Sequence, residues 1–252
     1  MNIGFLGSGH ITSSIIEGIF KSKLKIKKIY ISPRNKLISK KISKRFKKVT
    51  IAINNQQVID RSNWVFLAVT PQVGSKILSK LTFSKNKKII SLISTINLEK
   101  LKKYTKNKNI SRVIPLPFIG MRKGPIIICP KNNQLKNFFK HLGKVIELKN
   151  EKTSKAFWST SSFMASFYFL LDQTSNWLTS KGIKKKDAED YTRELFLALS
   201  EDAINKNKSS LKQLVLESQT PGGTNAYVLN QLKKKKFYKV QQTVLNSIFK
   251  KF

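Results

Sequence analysis

The first twenty residues place the strongest constraint on the fold. Residues 2–6 are a short apolar run with strand character, the turn Gly7-Ser8-Gly9 follows at once, and isoleucines then recur at helical spacing over residues 11–19. A strand, a glycine turn and a helix in this order open a dinucleotide-binding unit. The first glycine permits a tight turn, the second lets a pyrophosphate approach the backbone, and the helix start offers free N–H groups to the phosphates.

This glycine fingerprint is incomplete, because Thr12 stands where a third glycine is usual. That glycine serves close packing of the helix against the strand, so another small residue can take its place. Two glycines alone are a weak signal, and a plain strand–turn–helix remains the alternative. The position of the turn directly after a strand favours nucleotide binding.

The end of the second predicted strand, residues 27–31, indicates which nicotinamide cofactor is preferred. In this architecture an acidic residue there binds the adenosine ribose and selects NAD. Here Ser32-Pro33-Arg34-Asn35 follows the strand and contains no acid. A serine and an arginine suit a 2′-phosphate, so the sequence predicts a preference for NADP(H), with Arg34 as one more surface cation as the alternative.

Strands alternate with helices up to about residue 150, which predicts an α/β fold with a Rossmann-like, mostly parallel sheet. The strongest strand is the unbroken apolar run of residues 64–69, which fits a strand buried on both faces. It runs into Thr70-Pro71-Gln72, at the sheet edge where such folds bind ligands. We therefore assign residues 1–150 to a dinucleotide-binding domain.

Residues 151–252 lack the strand pattern and have helical character throughout. The predicted helices cover residues 152–180, 184–206, 211–218, 221–232 and 238–252. Their aromatic and leucine side chains outnumber what one thin bundle can bury, and excess apolar surface commonly marks an interface. We expect an all-helical substrate and dimerisation domain that forms a homodimer or a higher homo-oligomer.

Composition bears on partners and compartment. The net charge of +36 invites a nucleic-acid interpretation, but the cations are mostly lysines on predicted outer faces, and no nucleic-acid motif accompanies them. Cys129 is the only cysteine, so a disulfide within the chain is impossible and a reducing compartment is expected. With no signal peptide, membrane span or metal site indicated, we expect a soluble cytoplasmic protein.

Four phrases of the sequence stand in a characteristic order: Ile3-Gly4-Phe5-Leu6-Gly7-Ser8-Gly9, Phe66-Leu67-Ala68-Val69-Thr70-Pro71-Gln72, Arg112-Val113-Ile114-Pro115 and Thr220-Pro221-Gly222-Gly223-Thr224. Together they resemble the pyrroline-5-carboxylate reductase family, the last enzymes of proline synthesis. The likeness covers nearly the whole chain. It implies a Rossmann domain, a helical dimerisation domain, and hydride transfer from NAD(P)H to the C=N bond of a cyclic imino acid.

The resemblance also implies which residues bind the cofactor. The pyrophosphate would lie on Gly7, Ser8, Gly9, His10 and Ile11. The adenosine end would face Ser32 and Arg34, and the nicotinamide side would be lined by Ala68, Val69, Thr70 and Pro71.

For the substrate, the resemblance implies that the carboxylate meets Gly222, Gly223, Thr224 and Asn225. We expect Thr224 and Ser162 to hydrogen-bond the substrate during the reaction. Two glycines at a helix start expose backbone N–H groups to an anion. The alternative is a plain helix start with Thr220 as its cap and Pro221 as its first residue.

Several positions depart from the family's pattern. Thr70 stands where a lysine is usual, Leu116 and Pro117 replace polar residues, and the bulky Phe163 and Met164 replace a glycine and a proline near the substrate. A reductase of another imine or carbonyl, or a non-catalytic NADP-binding protein, therefore remains an alternative. A related hydroxyacid dehydrogenase is disfavoured, because residues 162–175 lack the lysine that such enzymes carry there.

Overall fold

The structure is a computed structural model that describes residues 1–251. The chain forms two compact units, residues 1–158 and residues 159–251. Strands occur in the first unit, whereas the described part of the second unit contains helices and turns. This arrangement confirms the expected combination of an α/β domain and an all-helical domain.

An eight-stranded sheet forms the centre of the first unit. Its strands are β1 (Asn2–Leu6), β2 (Lys28–Ile31), β3 (Val49–Ile51), β4 (Trp64–Leu67), β5 (Lys88–Ser91), β6 (Ile110–Ile114), β7 (Pro125–Cys129) and β8 (Lys144–Glu147). They lie in the order β3-β2-β1-β4-β5-β6-β7-β8. Neighbouring strands are parallel except β6 and β7, which are antiparallel. The expected mostly parallel sheet is confirmed.

Helices cover both faces of this sheet. They are α1 (His10–Lys21), α2 (Lys36–Arg45), α3 (Asn55–Asp60), α4 (Pro71–Ile77), α5 (Leu98–Thr105) and α6 (Asn133–Phe139). The next helix, α7 (Ser154–Ser161), runs from the end of the first unit into the second. Successive residues of a strand point to opposite faces. Phe5 and Phe66 accordingly enter a core with residues of α1, α2 and α6, while Leu6 and Leu67 enter a second core with residues of α3 and α5.

The strand order reverses between β1 and β4, because the chain runs outward through β2 and β3 before it returns to the other side of β1. Leu6 and Leu67 are the paired final residues of these two parallel strands. In open α/β sheets the carboxyl ends of the strands form a ligand-binding crevice at such a reversal. The segments that begin at Gly7 and Ala68 therefore face each other across this crevice.

The second unit consists of packed helices joined by short turns. Its helices are α8 (Met164–Ser180), α9 (Lys185–Asn205), α10 (Leu211–Glu217), α11 (Thr224–Lys234) and α12 (Phe237–Phe249). The single helix predicted over residues 152–180 is wrong, since α7 ends at Ser161 and α8 begins at Met164. Between them the backbone N–H of Ser162 bonds the Ser159 carbonyl three residues earlier, and the Ser162 hydroxyl donates to that carbonyl as well.

Apolar side chains remain exposed over much of the second unit. Among its described residues, Ala188 is the only buried apolar one, whereas Phe169, Trp177 and Leu199 are 64%, 60% and 58% exposed. The surplus apolar surface expected from the sequence is therefore present. Among residues 1–251, no helix has the length and apolarity that crossing a membrane requires.

Candidate cofactor-binding site

The glycine turn after β1 requires glycine at its first position. Gly7 has a φ of +115°, a conformation that side chains disfavour. A Cβ atom at Gly7 would lie 2.2 Å from the Ala68 carbonyl oxygen. The backbone that follows β1 thus passes directly against the backbone that follows β4, and any side chain at Gly7 would push the two apart.

Two hydroxyl groups hold this turn in place. The Thr12 hydroxyl donates to the Gly7 carbonyl at 2.9 Å, so the residue that replaces the third glycine stabilises the turn from within α1. The Gly7 N–H donates to Ser32 Oγ at 3.0 Å, and Ser32 Oγ in turn lies 2.7 Å from Asn55 Oδ1. Ser32 is 2% exposed, so the structure gives it a role in shaping the turn that the sequence did not indicate.

The start of α1 has the features of an anion site. Gly9 is the N-cap and no side chain caps the helix, so the first N–H groups are available to a ligand. A Cβ at Gly9 would meet nothing within 4 Å, which shows open space before the turn. Ser8 Oγ is buried without a hydrogen-bond partner among the described residues. Together these groups fit a dinucleotide pyrophosphate, which would accept bonds from the helix start and from the Ser8 hydroxyl.

A groove of about 640 Å³ opens at this turn. It is lined by Gly7, Ser8, Gly9, Arg34, Asn35, Lys36, Leu37, Ala68, Val69, Thr70 and Val73. A recess of about 340 Å³ shares several of these residues and is lined by Gly7, Ser32, Arg34, Asn55, Val69, Gln72, Val73, Lys76 and Ile77. The structure thus brings eight of the predicted cofactor residues together: Gly7, Ser8, Gly9, Ser32, Arg34, Ala68, Val69 and Thr70.

The remaining three predicted cofactor residues lie at helix starts. His10 is the exposed first residue of α1, and the Ile11 side chain packs against the core. Pro71 is the first residue of α4, which Thr70 precedes as N-cap. The backbone N–H groups of His10 and Ile11 lie at this uncapped helix start.

Several lining residues were not predicted from the sequence. Lys36 and Leu37 open α2, two and three residues after the predicted Arg34, while Val73, Lys76 and Ile77 occupy one face of α4. Their i, i+3, i+4 spacing on a helix that starts at the ligand edge was the signal that could have identified the second set. Arg34 and Lys36 bring two cations to the groove, Lys76 brings a third to the recess, and none of the residues that line either one is acidic.

The predicted substrate residues lie in the second unit. Gly222 has a φ of +73°, and Gly223 is the N-cap of α11 with no capping side chain. The helix therefore begins at Thr224, and the alternative start with Thr220 as cap and Pro221 first is wrong. The Asn225 side-chain amide donates to the Ser218 carbonyl at 3.1 Å.

Cys129 lies at the end of β7 and is 1% exposed. Burial raises the pKa of its thiol to about 11, with the Glu151 carboxylate acting in the same direction. The thiol is thus protonated at neutral pH, and a thiol in that state is a poor nucleophile. Cys129 is therefore a residue of the core.

Comparison with known proteins identifies the family. Residues 2–97 match the family described as NADP oxidoreductase, coenzyme F420-dependent, and residues 151–252 match the pyrroline-5-carboxylate reductase dimerisation family. A pyrroline-5-carboxylate reductase of Staphylococcus haemolyticus is 24% identical over 246 residues, covering 92% of this chain and 89% of that relative. Residues 151–252 belong to the pyrroline-5-carboxylate reductase dimerisation family.

Solved structures of pyrroline-5-carboxylate reductases share the fold of this chain. The enzyme from Streptococcus pyogenes has a TM-score of 0.85 at 21% identity, covering 100% of this chain and 97% of that chain. Pyrroline carboxylate reductase from Plasmodium falciparum, solved with NADP bound, has a TM-score of 0.82 at 19% identity, covering 100% and 96%. The family matches place this chain among NAD(P)-dependent oxidoreductases.

Proposed function

We propose that this chain reduces pyrroline-5-carboxylate to proline with NADPH as the hydride donor. The observation that carries the proposal is the groove and its recess beside the Gly7 turn, with the exposed helix start and three cations, in a chain whose residues 151–252 match the reductase dimerisation family. NADPH supplies a hydride that adds to the carbon of the protonated C=N bond, while the π electron pair moves to nitrogen and completes the amine.

The proposed preference for NADPH rests on charge. Arg34 and Lys36 lie together at the start of α2, where the 2′-phosphate of a bound dinucleotide would sit, and no acid lines the groove there. Carboxylates at this position would select the ribose 2′-hydroxyl of NAD instead. We assign the pyrophosphate to Ser8, Gly9 and the N–H groups of His10 and Ile11, and the nicotinamide side to residues 68–71.

For the substrate we assign the carboxylate to the start of α11. The glycine N-cap leaves the N–H groups of Thr224 and Asn225 available to an anion, and a helix N-terminus favours negative charge. The Thr224 hydroxyl is the proposed additional donor. Ser162 donates its hydroxyl hydrogen to the Ser159 carbonyl, so we assign it the role of hydrogen-bond acceptor for a protonated imine.

We further propose that two copies pair through the second unit. Residues 151–252 match a dimerisation family, and the unit exposes large apolar side chains that a second copy would cover. Such surface is unusual on a monomeric protein. The homodimer would complete the packing that a single copy lacks.

The decisive test follows NADPH oxidation with pyrroline-5-carboxylate, alongside NADPH binding measured by nicotinamide fluorescence. We expect turnover that Thr224→Val lowers by at least about tenfold, since a hydrogen bond to a charged group contributes about 1.5–3 kcal/mol. Thr243→Val, on α12, is the matched control. NADPH binding without turnover would refute the substrate assignment and favour another imine or carbonyl, or a non-catalytic binding protein.

A second arm of the test concerns the cofactor. Gly7→Ala should abolish NADPH binding, because its Cβ would meet the Ala68 carbonyl oxygen at 2.2 Å. Gly182→Ala is the matched control, since Gly182 also has a positive φ, of +87°, but an added Cβ there would meet nothing within 4 Å. Equal binding by the two variants would remove the groove from the cofactor assignment.

A further inference from the structure

A buried arginine on β6 has a hydrogen-bond network that the proposed cofactor and substrate contacts do not use. Arg112 is 2% exposed, and all five of its N–H donors have acceptors. Nε and one terminal nitrogen contact Glu151 Oε1 at 2.9 and 2.6 Å. The other three donors bond the carbonyls of Ile93, Ser94 and Ile96. One side chain therefore fixes the backbone of the loop that follows β5.

Glu151 extends this network to a helix. Its carboxylate also accepts the backbone N–H of Leu98, the first residue of α5, at 2.9 Å. Burial lowers the pKa of Arg112, and the neighbouring Glu151 carboxylate acts in the opposite direction. Removing one partner of a buried ion pair leaves the other charge uncompensated. The carboxylate thus keeps the buried guanidinium paired and the loop carbonyls bonded.

The loop held by Arg112 supports one wall of the cofactor groove. An added Cβ at Gly74 of α4 would lie 3.0 Å from Ile93 Cδ1 and 3.4 Å from Ile96 Cδ1. Glycine at position 74 therefore lets α4 pack directly on these two isoleucines. The same helix carries Val73 and Lys76, which line the groove and its recess.

We propose that Arg112 and Glu151 are a positioning pair that sets the α4 wall of the cofactor groove and thereby the affinity for NADPH. The inference rests on the proposed binding of NADPH in that groove. Neither residue lines the groove. They act through contiguous contacts, from the guanidinium to the loop carbonyls, and from Ile93 and Ile96 to Gly74 of α4.

The test compares Glu151→Gln with Glu147→Gln. Glu147 has the same chemistry at the far edge of the sheet, where it accepts the Asn132 N–H at 3.1 Å and pairs with Lys136 at 3.0 Å. We expect Glu151→Gln to raise the Kd for NADPH about three- to tenfold and Glu147→Gln to change it less than about twofold. The KM for NADPH should rise in parallel, with kcat preserved at saturating NADPH.

Unfolding temperatures of both variants separate positioning from stability. The inference would be overturned if both variants lost the same stability and showed the same rise in the Kd for NADPH. It would also be overturned if Glu151→Gln left the Kd for NADPH unchanged. A wild type that binds NADPH but reduces no pyrroline-5-carboxylate would refute the substrate assignment and leave this comparison intact.

Gly74→Ala keeps the test decisive if Glu151→Gln does not fold. It leaves the ion pair untouched and presses α4 against Ile93 and Ile96, so we expect it also to raise the Kd for NADPH by about threefold. The double variant should show a non-additive effect, because both changes act on the same wall. An unchanged Kd for Gly74→Ala, or strictly additive effects, would contradict the proposed route.

Discussion

The two units of this molecule differ in how much of their apolar surface a single copy of the chain buries. The first unit buries apolar side chains on both faces of its sheet, and its groove is lined by its own residues. The second unit leaves Phe169, Trp177 and Leu199 in solvent, and Ala188 is its only buried apolar residue among those described. A helical layer needs a second layer to form a core. One copy of the chain therefore completes the proposed cofactor groove, whereas its helical unit leaves apolar surface that the proposed partner would cover.

The largest effect should come from the first unit's core. Phe66 is fully buried and stacks on Phe5 with ring centroids 4.6 Å apart. Phe66→Ala should lower the free energy of unfolding by about 3–5 kcal/mol, measured by urea unfolding followed by circular dichroism. The matched Phe169→Ala should change the unfolding of a dilute chain by less than about 1 kcal/mol. Comparable losses in the free energy of unfolding for the two variants would contradict the difference in packing between the units.

A charge on the exposed apolar face of α9 should next affect assembly. Leu199→Lys should weaken self-association about a hundredfold, since an unpaired charge in an apolar interface is strongly unfavourable. Sedimentation velocity over a concentration series measures this change. Ile53→Lys is the control, because Ile53 is 78% exposed in the first unit. A wild type that stays monomeric at micromolar concentration would refute the proposed dimer.

Alkaline pH should lower the stability of the first unit through Cys129, which lies in its core. Its pKa is raised from 9.0 to about 11 in the folded chain, so the folded state binds the thiol proton more tightly than the unfolded state does. The contribution of this thiol to the free energy of unfolding is fully present below pH 9. It falls by about 2 kcal/mol as pH rises towards 11. Urea unfolding of wild type and Cys129→Ala isolates it, because other titrating groups cancel in the difference. Parallel pH profiles of the free energy of unfolding for the two proteins would show that burial does not raise the pKa of this thiol.

The smallest effect concerns the selectivity of the groove. Arg34→Ala should raise the Kd for NADPH about tenfold and leave the Kd for NADH nearly unchanged, because one charge-assisted contact to the 2′-phosphate is lost. Fluorescence titration with each dinucleotide measures both constants. Arg45→Ala is the control, since Arg45 lies at the other end of α2 and pairs with Glu17. Equal weakening of both dinucleotides would assign Arg34 to the shared part of the cofactor.

Local patterns were sufficient to predict the sheet and the glycine turn. Apolar runs such as residues 64–69 alternate with amphipathic segments, and Gly7 stands where a strand must turn sharply into a helix. These signals depend on neighbours in sequence. They do not define where an element breaks, so the apolar pattern around Ser162 and Phe163 predicted one helix where the structure has two.

Contacts between distant residues could not be predicted in the same way. The Ser32 hydroxyl reaches the N–H of Gly7 across 25 positions, and Arg112 reaches Glu151 across 39. The side chains alone suggested a phosphate ligand in the first case and nothing in the second. Such pairs are set by the order of strands in the sheet, which propensity and periodicity do not encode.

Because of the strand order, the residues that line the groove and the Arg112–Glu151 ion pair lie far apart in the sequence. Every groove-lining residue lies between Gly7 and Ile77, whereas Arg112 and Glu151 come later. A ribosome therefore produces all the residues that line the groove and its recess well before the ion pair that is proposed to position α4. In the nascent chain, the residues that line the groove are made before the Arg112–Glu151 ion pair. The groove can therefore reach its final geometry only after residue 151 has been synthesised.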